Sequence, residues 1–297
     1  MQQKQMMVLV NPNAGKGGYR APFGEILKLF SDGGYTPTVF FTRESGEAPR
    51  LVEKYAPRFD LVTCLGGDGT LSEVCAGMMR LGAEQRPIGY IPLGTANDVA
   101  HTLGLSPRPV EAARQILNGK PFSYDIGRFG GNDYFTYVAA FGAFTEVSYA
   151  TPQESKHALG HLAYMLEGLR RLPTIRDYRA IVEYDDGVVE DDFIFGAVTN
   201  TTSVAGLVHL GSGDICLSDG MFEVLLVRRP QDILELGDII STVLSSDFSG
   251  PNVLFLKSRE VRVMFRENVA WTRDGEDGGG HRDVVIANCH PGVEILV

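Results

Sequence analysis

A repeating rhythm of apolar runs, glycine-bearing turns and helical spacing fills roughly the first 125 residues, and it is typical of βαβ units around a parallel sheet. Four apolar runs begin the repeats: Met6–Val10, Thr38–Phe41, Leu61–Leu65 and Ile88–Ile91. After the loop that follows each run, apolar residues recur with a period of about 3.6 residues, as in amphipathic helices. We therefore predict an open, doubly wound (Rossmann-like) α/β domain over residues 1–125.

Beyond residue 125 the rhythm changes to alternating strand patterns, which predict a second, mostly antiparallel domain over residues 126–297. The strand-like runs are Tyr178–Tyr184, Asp192–Thr199, Phe222–Arg228, Val261–Phe265 and Asp283–Ala287. The pair Asp186-Gly187 predicts a tight hairpin turn in which Gly187 supplies a positive φ. Two amphipathic helices are predicted within this half, around Leu159–Leu169 and around Ile233–Val243.

Charge and composition limit the partners that such a chain can have. The chain has 297 residues, a formal net charge of −10 and 44% hydrophobic residues. This length favours two domains over one large core. Nucleic acid is excluded as a partner, because binding it needs a net basic face. The sequence contains no apolar stretch that approaches the length of a membrane span, so we expect a cytoplasmic protein that is soluble or peripheral to a membrane.

The strongest chemical signal is the turn Gly66-Gly67-Asp68-Gly69-Thr70, which follows a predicted strand and precedes a helix. Its glycines would allow a phosphate chain to lie against the main chain. Asp68 is only an acceptor when ionised, so it can hold a water of a magnesium shell. Thr70 and Glu73 also match a capping box, which would explain both residues as the start of a helix. Capping does not explain Gly66, Gly67 or Asp68.

Two further turns follow other predicted strands. Asn11-Pro12-Asn13-Ala14-Gly15-Lys16-Gly17-Gly18 follows the first, and Gly94-Thr95-Ala96-Asn97-Asp98 follows the fourth. The first turn is neither a Walker A loop nor a dinucleotide fingerprint, and alone it could be a plain strand-to-helix turn. Asn97 and Asp98 could be ordinary cap residues. Open α/β sheets bind ligands at the carboxyl ends of their strands, so the three turns together predict a binding site at that edge.

Together these stretches resemble the diacylglycerol kinase catalytic-domain family, which includes bacterial diacylglycerol kinases and the sphingosine and ceramide kinases. The resemblance covers nearly the whole chain. Besides the three turns, it is carried by Leu217-Ser218-Asp219-Gly220 and by Asp274-Gly275-Glu276. NAD kinases and phosphofructokinases share the turn around Asp68, whereas the Gly94–Asp98 turn and the late Asp-Gly-Glu distinguish the three families.

The resemblance implies a kinase that transfers the γ-phosphoryl group of ATP to the hydroxyl of a lipid, with diacylglycerol as the expected acceptor and Mg²⁺ as the cofactor. It also implies an N-terminal nucleotide domain, a C-terminal β-sandwich with inserted helices, and a cleft between them for the lipid hydroxyl. The residues assigned to the ATP site are Asn11, Pro12, Asn13, Ala14, Gly15, Thr42, Gly66, Gly67, Asp68, Gly69, Thr70, Leu71, Ser72, Glu73, Thr95, Asn97 and Asp98.

The same resemblance implies a structural magnesium held by Asp219, with help from the main-chain oxygens of Cys216 and Met221. It places Asp68 among the catalytic residues and implies that Glu276 or Asp274 is the base. Phosphoryl transfer to an alcohol needs one carboxylate to accept the hydroxyl proton. Which of the two acidic residues does so stays open. Both could instead belong to a polar turn, since they lie in a glycine-rich run that departs from the family's usual continuation.

Two other functions stay open at this stage. One is a soluble-metabolite kinase of the NAD kinase type, and the other is a nucleotide-binding regulator without catalytic activity. The Lys156–Arg179 stretch interleaves basic and leucine residues. It predicts either a face that docks on an anionic membrane or a charged outer face over a leucine stripe that packs on the core. We expect peripheral membrane contact for a lipid kinase, and the sequence leaves open whether the chain forms a homodimer.

Overall fold

The computed structural model describes residues 3–17, 20–143, 176–201, 203–204, 208–209, 216–245, 248 and 250–297. The helix predicted around Leu159–Leu169, and the Lys156–Arg179 stretch before residue 176, lie outside these residues. The chain divides into two compact units that interleave along the sequence. The first unit comprises Met1–Tyr137, Cys216–Gly220 and Asn288–Val297, and the second comprises Val138–Ile215 and Met221–Ala287.

The strands are β1 Lys4–Val10, β2 Tyr35–Phe41, β3 Leu61–Gly66, β4 Ile88–Pro92, β5 Pro121–Phe129, β6 Asp133–Phe135, β7 Val138–Gly142, β8 Tyr178–Tyr184, β9 Gly187–Thr199, β10 Ser203–Val204, β11 Val208–His209, β12 Phe222–Arg228, β13 Val253–Ser258, β14 Glu260–Arg273 and β15 Glu276–Leu296. The helices are α1 Phe23–Asp32, α2 Glu47–Tyr55, α3 Asp68–Leu81, α4 Asp98–Thr102, α5 Pro109–Asn118 and α6 Ile233–Ser245. Within the described part of the chain, no helix is long and apolar enough to cross a membrane.

A parallel sheet forms the centre of the first unit, with the strand order β2-β1-β3-β4. All four predicted strands are present, although β2 begins at Tyr35, earlier than the apolar run suggested. Every residue of β3 and β4 is buried, which explains why these strands appear in the sequence as continuous apolar runs. Ile26 and Phe30 of α1 and Ile116 of α5 belong to the core that packs on this sheet. The predicted mixed α/β class is therefore confirmed.

Helices α2 and α3 of the first unit pack closely at Gly77, because this residue has no side chain. A Cβ built at Gly77 would lie 2.8 Å from the Cβ of Val52 and 3.0 Å from the Cα of Pro49, and both of these residues are in α2. Glycine inside a helix costs about 0.5–1 kcal/mol relative to alanine. The close approach of the two helices accounts for glycine at this position.

The second unit contains an antiparallel sheet in the order β13-β12-β9-β7-β14-β15, with β8 paired to both β9 and β14. The part of β15 up to residue 287 belongs to this unit. At its centre the ring of Phe141 lies 4.9 Å, centroid to centroid, from the rings of both Phe265 and Trp271. The predicted antiparallel strands and the helix predicted around Ile233 are confirmed.

The hairpin predicted at Asp186-Gly187 is present, but the positive φ predicted for Gly187 is wrong. Gly187 is already a strand residue, paired with Tyr184. A Cβ at Gly187 would lie 3.2 Å from the Tyr184 hydroxyl oxygen, so contact with this side chain, rather than backbone strain, favours glycine. The carboxylate of Asp185, in the turn, accepts a hydrogen bond from the main-chain N–H of Arg259 at 2.9 Å. This bond is the main cause that lowers the pKa of Asp185.

We predict that Gly77→Ala lowers the free energy of unfolding by about 1–3 kcal/mol, because the added methyl group overlaps α2. Gly24→Ala in α1 is the matched control, since no atom lies within 4 Å of a Cβ built there. This control should raise the stability by about 0.5–1 kcal/mol. Urea unfolding of the native chain and the two variants measures both effects. Equal stability of the two variants would contradict the close packing of α2 on α3.

Candidate functional site

Three glycine-bearing turns meet at the carboxyl edge of the parallel sheet in the first unit. They follow β1, β3 and β4, which are neighbours in that sheet. The side-chain amide of Asn11 donates a hydrogen bond to the Thr70 hydroxyl at 3.0 Å, which joins the first turn to the second. The main-chain N–H of Leu93 donates to the carbonyl of Gly66 at 2.7 Å, which joins the second to the third. The structure thus brings together the three turns that the sequence singled out.

Absent side chains allow these turns to touch through their main chains. A Cβ built at Gly94 would lie 2.7 Å from the Cα of Gly67. One built at Gly15 would overlap the main-chain oxygen of Leu93. Gly15 also has a φ of +55°, a value that residues other than glycine rarely adopt. Packing of the turns on one another therefore requires these glycines before any ligand is considered.

Asn97 shapes the third turn with its own side chain. Its φ is +54°. Its Oδ1 accepts a hydrogen bond from the main-chain N–H of Gly94 at 2.8 Å, and its Nδ2 donates to the carbonyl of Gly94 at 3.0 Å. The hydroxyl of Tyr90 lies 3.5 Å from the same Oδ1. Burial, followed by the charge of Asp68, raises the pKa of Tyr90 well above its usual range, so Tyr90 is a donor here. Asn97 therefore holds the turn, and a direct nucleotide contact stays a prediction.

Asp68 is the first residue of α3, and its Oδ1 accepts a hydrogen bond from the main-chain N–H of Val99 at 3.3 Å. Burial raises the pKa of Asp68, and the nearby charge of Asp98 raises it further. Burial also raises the pKa of Asp98, although the opposing effect of His101 lowers it. Two partly buried carboxylates thus repel each other at the centre of the edge. A cation bound there would relieve this repulsion.

The capping box predicted from Thr70 and Glu73 is wrong. Helix α3 begins at Asp68 with Gly67 as its N-cap, so Thr70 already lies inside the first turn. The Glu73 carboxylate instead accepts hydrogen bonds at the start of α2, from the main-chain N–H of Gly46 at 2.7 Å and that of Ala48 at 3.2 Å. The Ser45 hydroxyl adds a third at 3.1 Å. Glu73 therefore fixes the β2–α2 turn, a role that the local motif did not predict.

Other residues assigned to the ATP site differ in their surroundings. Thr42 follows β2 and is 7% exposed, and its main-chain N–H donates to the carbonyl of Val10 at 3.0 Å. Thr42 therefore lies beside the first turn. Thr95 is exposed in the third turn. The side chain of Leu71 is fully buried, and Ala14 packs against the hydrophobic core. For Leu71 and Ala14, the main chain is therefore the part available to a ligand.

In the second unit, Asp274 and Glu276 occupy a tight hairpin between β14 and β15. Asp274 has a φ of +48° and Gly275 a φ of +81°, the left-handed pair that closes a two-residue hairpin of type I′. The N–H of Asp274 donates to the carbonyl of Val138 at 2.9 Å, and its Oδ1 accepts from the N–H of Val138 at 3.1 Å. Asp274 is 7% exposed, whereas Glu276 is exposed. Asp274 thus fixes the hairpin on β7, and Glu276 is the more exposed of the two acidic residues.

Asp125 organises the Cys216–Gly220 segment of the first unit. It is fully buried, its N–H donates to the carbonyl of Leu217 at 3.0 Å, and its Oδ2 accepts from the N–H of Gly220 at 2.8 Å. Its Oδ1 lies 2.7 Å from Nδ1 of His290. Neither Asp125 nor His290 was predicted from the sequence as a functional residue. The available signal was an acidic residue between the aromatic Tyr124 and the apolar Ile126 in strand β5.

The predicted structural magnesium involves this same segment. Asp219 and Cys216 are exposed, and Asp125 holds the main chain on either side of Asp219. A carboxylate and main-chain carbonyl groups are the hard oxygen donors that Mg²⁺ prefers, so the residues suit the ion. Among the described residues, no group of three or more His, Cys, Asp or Glu side chains is arranged to hold a metal.

Comparison with known proteins agrees with this arrangement. The sequence pattern of the family described as diacylglycerol kinase catalytic domain matches residues 5–129. The diacylglycerol kinase of Bacillus subtilis (strain 168) is 32% identical over 280 residues, which cover 93% of this chain and 91% of that protein. The diacylglycerol kinase of Staphylococcus carnosus (strain TM300) is 31% identical over 281 residues, covering 93% of this chain and 90% of that protein.

A solved structure shows the same fold. The crystal structure of a diacylglycerol kinase from Bacillus anthracis (strain Sterne) superposes with a TM-score of 0.77 at 21% identity, covering 100% of this chain and 97% of that one. At this identity the likeness concerns the fold alone. The alignments with the two sequence relatives cover at least 90% of this chain and of each relative, at 31–32% identity. On that evidence the chain belongs to the diacylglycerol kinase catalytic-domain family.

Proposed function

We propose that the protein is an ATP-dependent lipid kinase that transfers the γ-phosphoryl group of ATP to the hydroxyl of diacylglycerol. The observation that carries the proposal is the meeting of three glycine-bearing turns around Asp68 at the carboxyl edge of a parallel sheet. Family membership supports a lipid kinase. Membership of a kinase family supports ATP as the donor, and the similarity to diacylglycerol kinases supports diacylglycerol as the acceptor.

In this proposal the first unit binds the nucleotide. Main-chain N–H groups of the turns Asn11–Gly15 and Gly67–Gly69 would face the phosphates, at the N-terminal end of α3, where the helix dipole favours negative charge. Thr42 and Thr95 would contact the nucleotide close to its phosphates. Asp68, with Asp98 beside it, would hold the Mg²⁺ that accompanies ATP, since both are oxygen donors with a mutual repulsion that a cation relieves. When bound, the ion offsets the charge of the phosphates.

A second, structural Mg²⁺ is proposed at Asp219, with the main-chain oxygens of Cys216 and Met221. The support is the fixed main chain of the segment, since Asp125 bonds to both Leu217 and Gly220. Asp219 would thereby present its carboxylate from a segment that needs little ordering before the ion binds.

Glu276 is proposed as the base. Its carboxylate would accept the proton of the lipid hydroxyl while the hydroxyl oxygen forms a bond to the γ-phosphorus and the bond to the ADP oxygen breaks. The support is the contrast between two neighbouring acidic residues. Asp274 bonds to the main chain of Val138, whereas Glu276 is exposed next to a turn that this contact holds in place.

A lipid acceptor requires contact with a membrane, and we propose that the protein is cytoplasmic and binds peripherally. The basic stretch expected to dock lies mostly outside the described residues. Of its members that the structure describes, Arg176 forms an ion pair with Glu267 at 2.6 Å, and Arg179 pairs with Glu190 at 3.2 Å. These two side chains already face acidic partners of the same unit, so the proposal of membrane contact relies on the chemistry of the substrate.

The direct test incubates the purified chain with labelled ATP, Mg²⁺ and diacylglycerol in mixed micelles. We expect a phosphorylated lipid, no product when a chelator removes Mg²⁺, and no product from Asp68→Ala at unchanged circular dichroism. A panel of water-soluble alcohols, including NAD, is the control. Phosphorylation of a soluble alcohol with none of the lipid would contradict the proposal and would favour a soluble-metabolite kinase. Failure to phosphorylate any acceptor would favour a nucleotide-binding regulator.

Because the pKa of Asp68 is raised, we predict that lowering the pH abolishes activity at a higher pH than the usual pKa of an aspartate would suggest. Its proposed role needs the charged carboxylate, and a raised pKa means that protonation occurs at a higher pH than in an ordinary aspartate. Asp98→Asn removes one cause of the shift, so the acidic limb of kcat/KM against pH should move to lower pH. Asp133→Asn, at an exposed position of the same unit, is the control. An acidic limb that stays in place in Asp98→Asn would show that these two carboxylates do not interact.

The assignment of the base predicts different outcomes for the two acidic residues of the hairpin. Glu276→Gln should slow phosphoryl transfer by about 10²- to 10⁴-fold, with the KM for ATP and the melting temperature nearly unchanged. Asp274→Ala should lower the melting temperature, because it removes the bond to Val138. Steady-state kinetics and thermal unfolding measure both. If Glu276→Gln is fully active and Asp274→Asn is inactive although folded, the base is Asp274.

A further inference from the structure

The hairpin that carries the proposed base contains a β-bulge. The ladder between β14 and β15 keeps one register as far as Thr272 opposite Asp277, and it then shifts so that Trp271 lies opposite Gly279. Gly278 is the extra residue. Bulges of this kind bend a strand and change the direction of the side chains beside them.

Two of the three consecutive glycines at this point are required by the bulge. A Cβ at Gly278 would lie 2.9 Å from the main-chain oxygen of Trp271, and Gly279 has a φ of +78°. Gly280 differs from both, since its φ lies outside the left-handed region and the nearest atom to a Cβ built there is 3.8 Å away, in Asn268. The glycine run therefore contains two structural positions and one that tolerates a side chain.

Side chains on both sides hold the bulge in place. The carboxylate Oδ1 of Asp277 accepts a hydrogen bond from the main-chain N–H of Gly279 at 2.8 Å. Nε2 of His281 lies 2.9 Å from the carbonyl oxygen of Gly278, within hydrogen-bonding distance. The bulge is thus built from specific contacts on either side of the extra residue.

We propose that this bulge is a positioning device that selects Glu276, and not Asp277, as the acidic residue opposite Arg273. In a ladder that paired Gly278 directly with Thr272, Asp277 would move into that place, because a slip of one residue exchanges the two faces of a strand. The buried Val284 and Ile286 oppose a slip of the remainder of β15. A change of register would therefore be confined to the residues next to the turn between β14 and β15. This inference rests on the proposed role of Glu276 as the base.

Three alanine variants at consecutive positions test the inference, assayed with ATP and diacylglycerol beside Glu276→Gln. Gly278→Ala and Gly279→Ala should each lower kcat by about 10- to 100-fold with an unchanged KM for ATP, since a displacement of about 1 Å at a reacting group has this effect. Gly280→Ala should keep the native kcat and is the matched control. Melting temperatures show whether each variant is folded.

Asp277 provides a second comparison that does not add atoms to the hairpin. Asp277→Asn keeps an oxygen acceptor for the N–H of Gly279 and should keep the native kcat, whereas Asp277→Ala removes the acceptor and should lower kcat. If the glycine variants do not fold, equal kcat values in these two variants overturn the inference.

The remaining outcomes separate this inference from the proposed function. Native kcat in both Gly278→Ala and Gly279→Ala, with Glu276→Gln inactive, overturns the role of the bulge and leaves the base assignment in place. An equal loss of kcat in Gly280→Ala also overturns it, since the effect would then not depend on the bulge. Full activity of Glu276→Gln overturns the base assignment, and the positioning role with it.

Discussion

The contact between the main chains of Gly67 and Gly94 is the constraint on which the proposed nucleotide site depends. It brings the turns after β3 and β4 so close that a Cβ at Gly94 would lie 2.7 Å from the Cα of Gly67, and a Cβ at Gly67 would lie 3.1 Å from the Cα of Gly94. The left-handed conformation of Asn97 then directs the chain into α4, whose N-terminal N–H at Val99 reaches Asp68. The burial that raises the pKa of Asp68 is thus a consequence of how two turns pack.

Several residues that a motif marks as ligand contacts have structural roles in this site. The side-chain amide of Asn97 forms hydrogen bonds to the main chain of Gly94 within its own turn. Glu73 caps α2 and not α3, the helix to which it belongs. Both therefore shape the surface that a ligand meets. Substitution of such a residue would displace main-chain N–H groups, so its effect on binding would not by itself identify a direct contact.

The sequence predicted the parts of the molecule that depend on neighbouring residues. Buried parallel strands appear as continuous apolar runs, so β1 to β4 could be located, and the turns at their ends could be expected to meet. The capping box at Thr70 failed because a helix start depends on which residue is the last to keep the extended conformation, and here that residue is Gly67. The contact between Asp125 and Gly220 joins residues 95 positions apart. Nothing in the local pattern indicates that partner, so the return of residues 216–220 to the first unit could not be predicted.

The Asp-Gly-Glu hairpin shows how backbone geometry gives two neighbouring acidic residues different surroundings, which composition alone does not reveal. A two-residue turn of this type needs a positive φ at both positions, and aspartate is among the few residues that tolerate it. Asp274 meets that need, and the same conformation places its N–H and its carboxylate on the main chain of Val138. A carboxylate held in this way is poorly suited to receive a proton from a substrate. The acidic residue that follows the turn, Glu276, keeps an exposed side chain beside this fixed backbone, and the proposal that it is the general base relies on that difference.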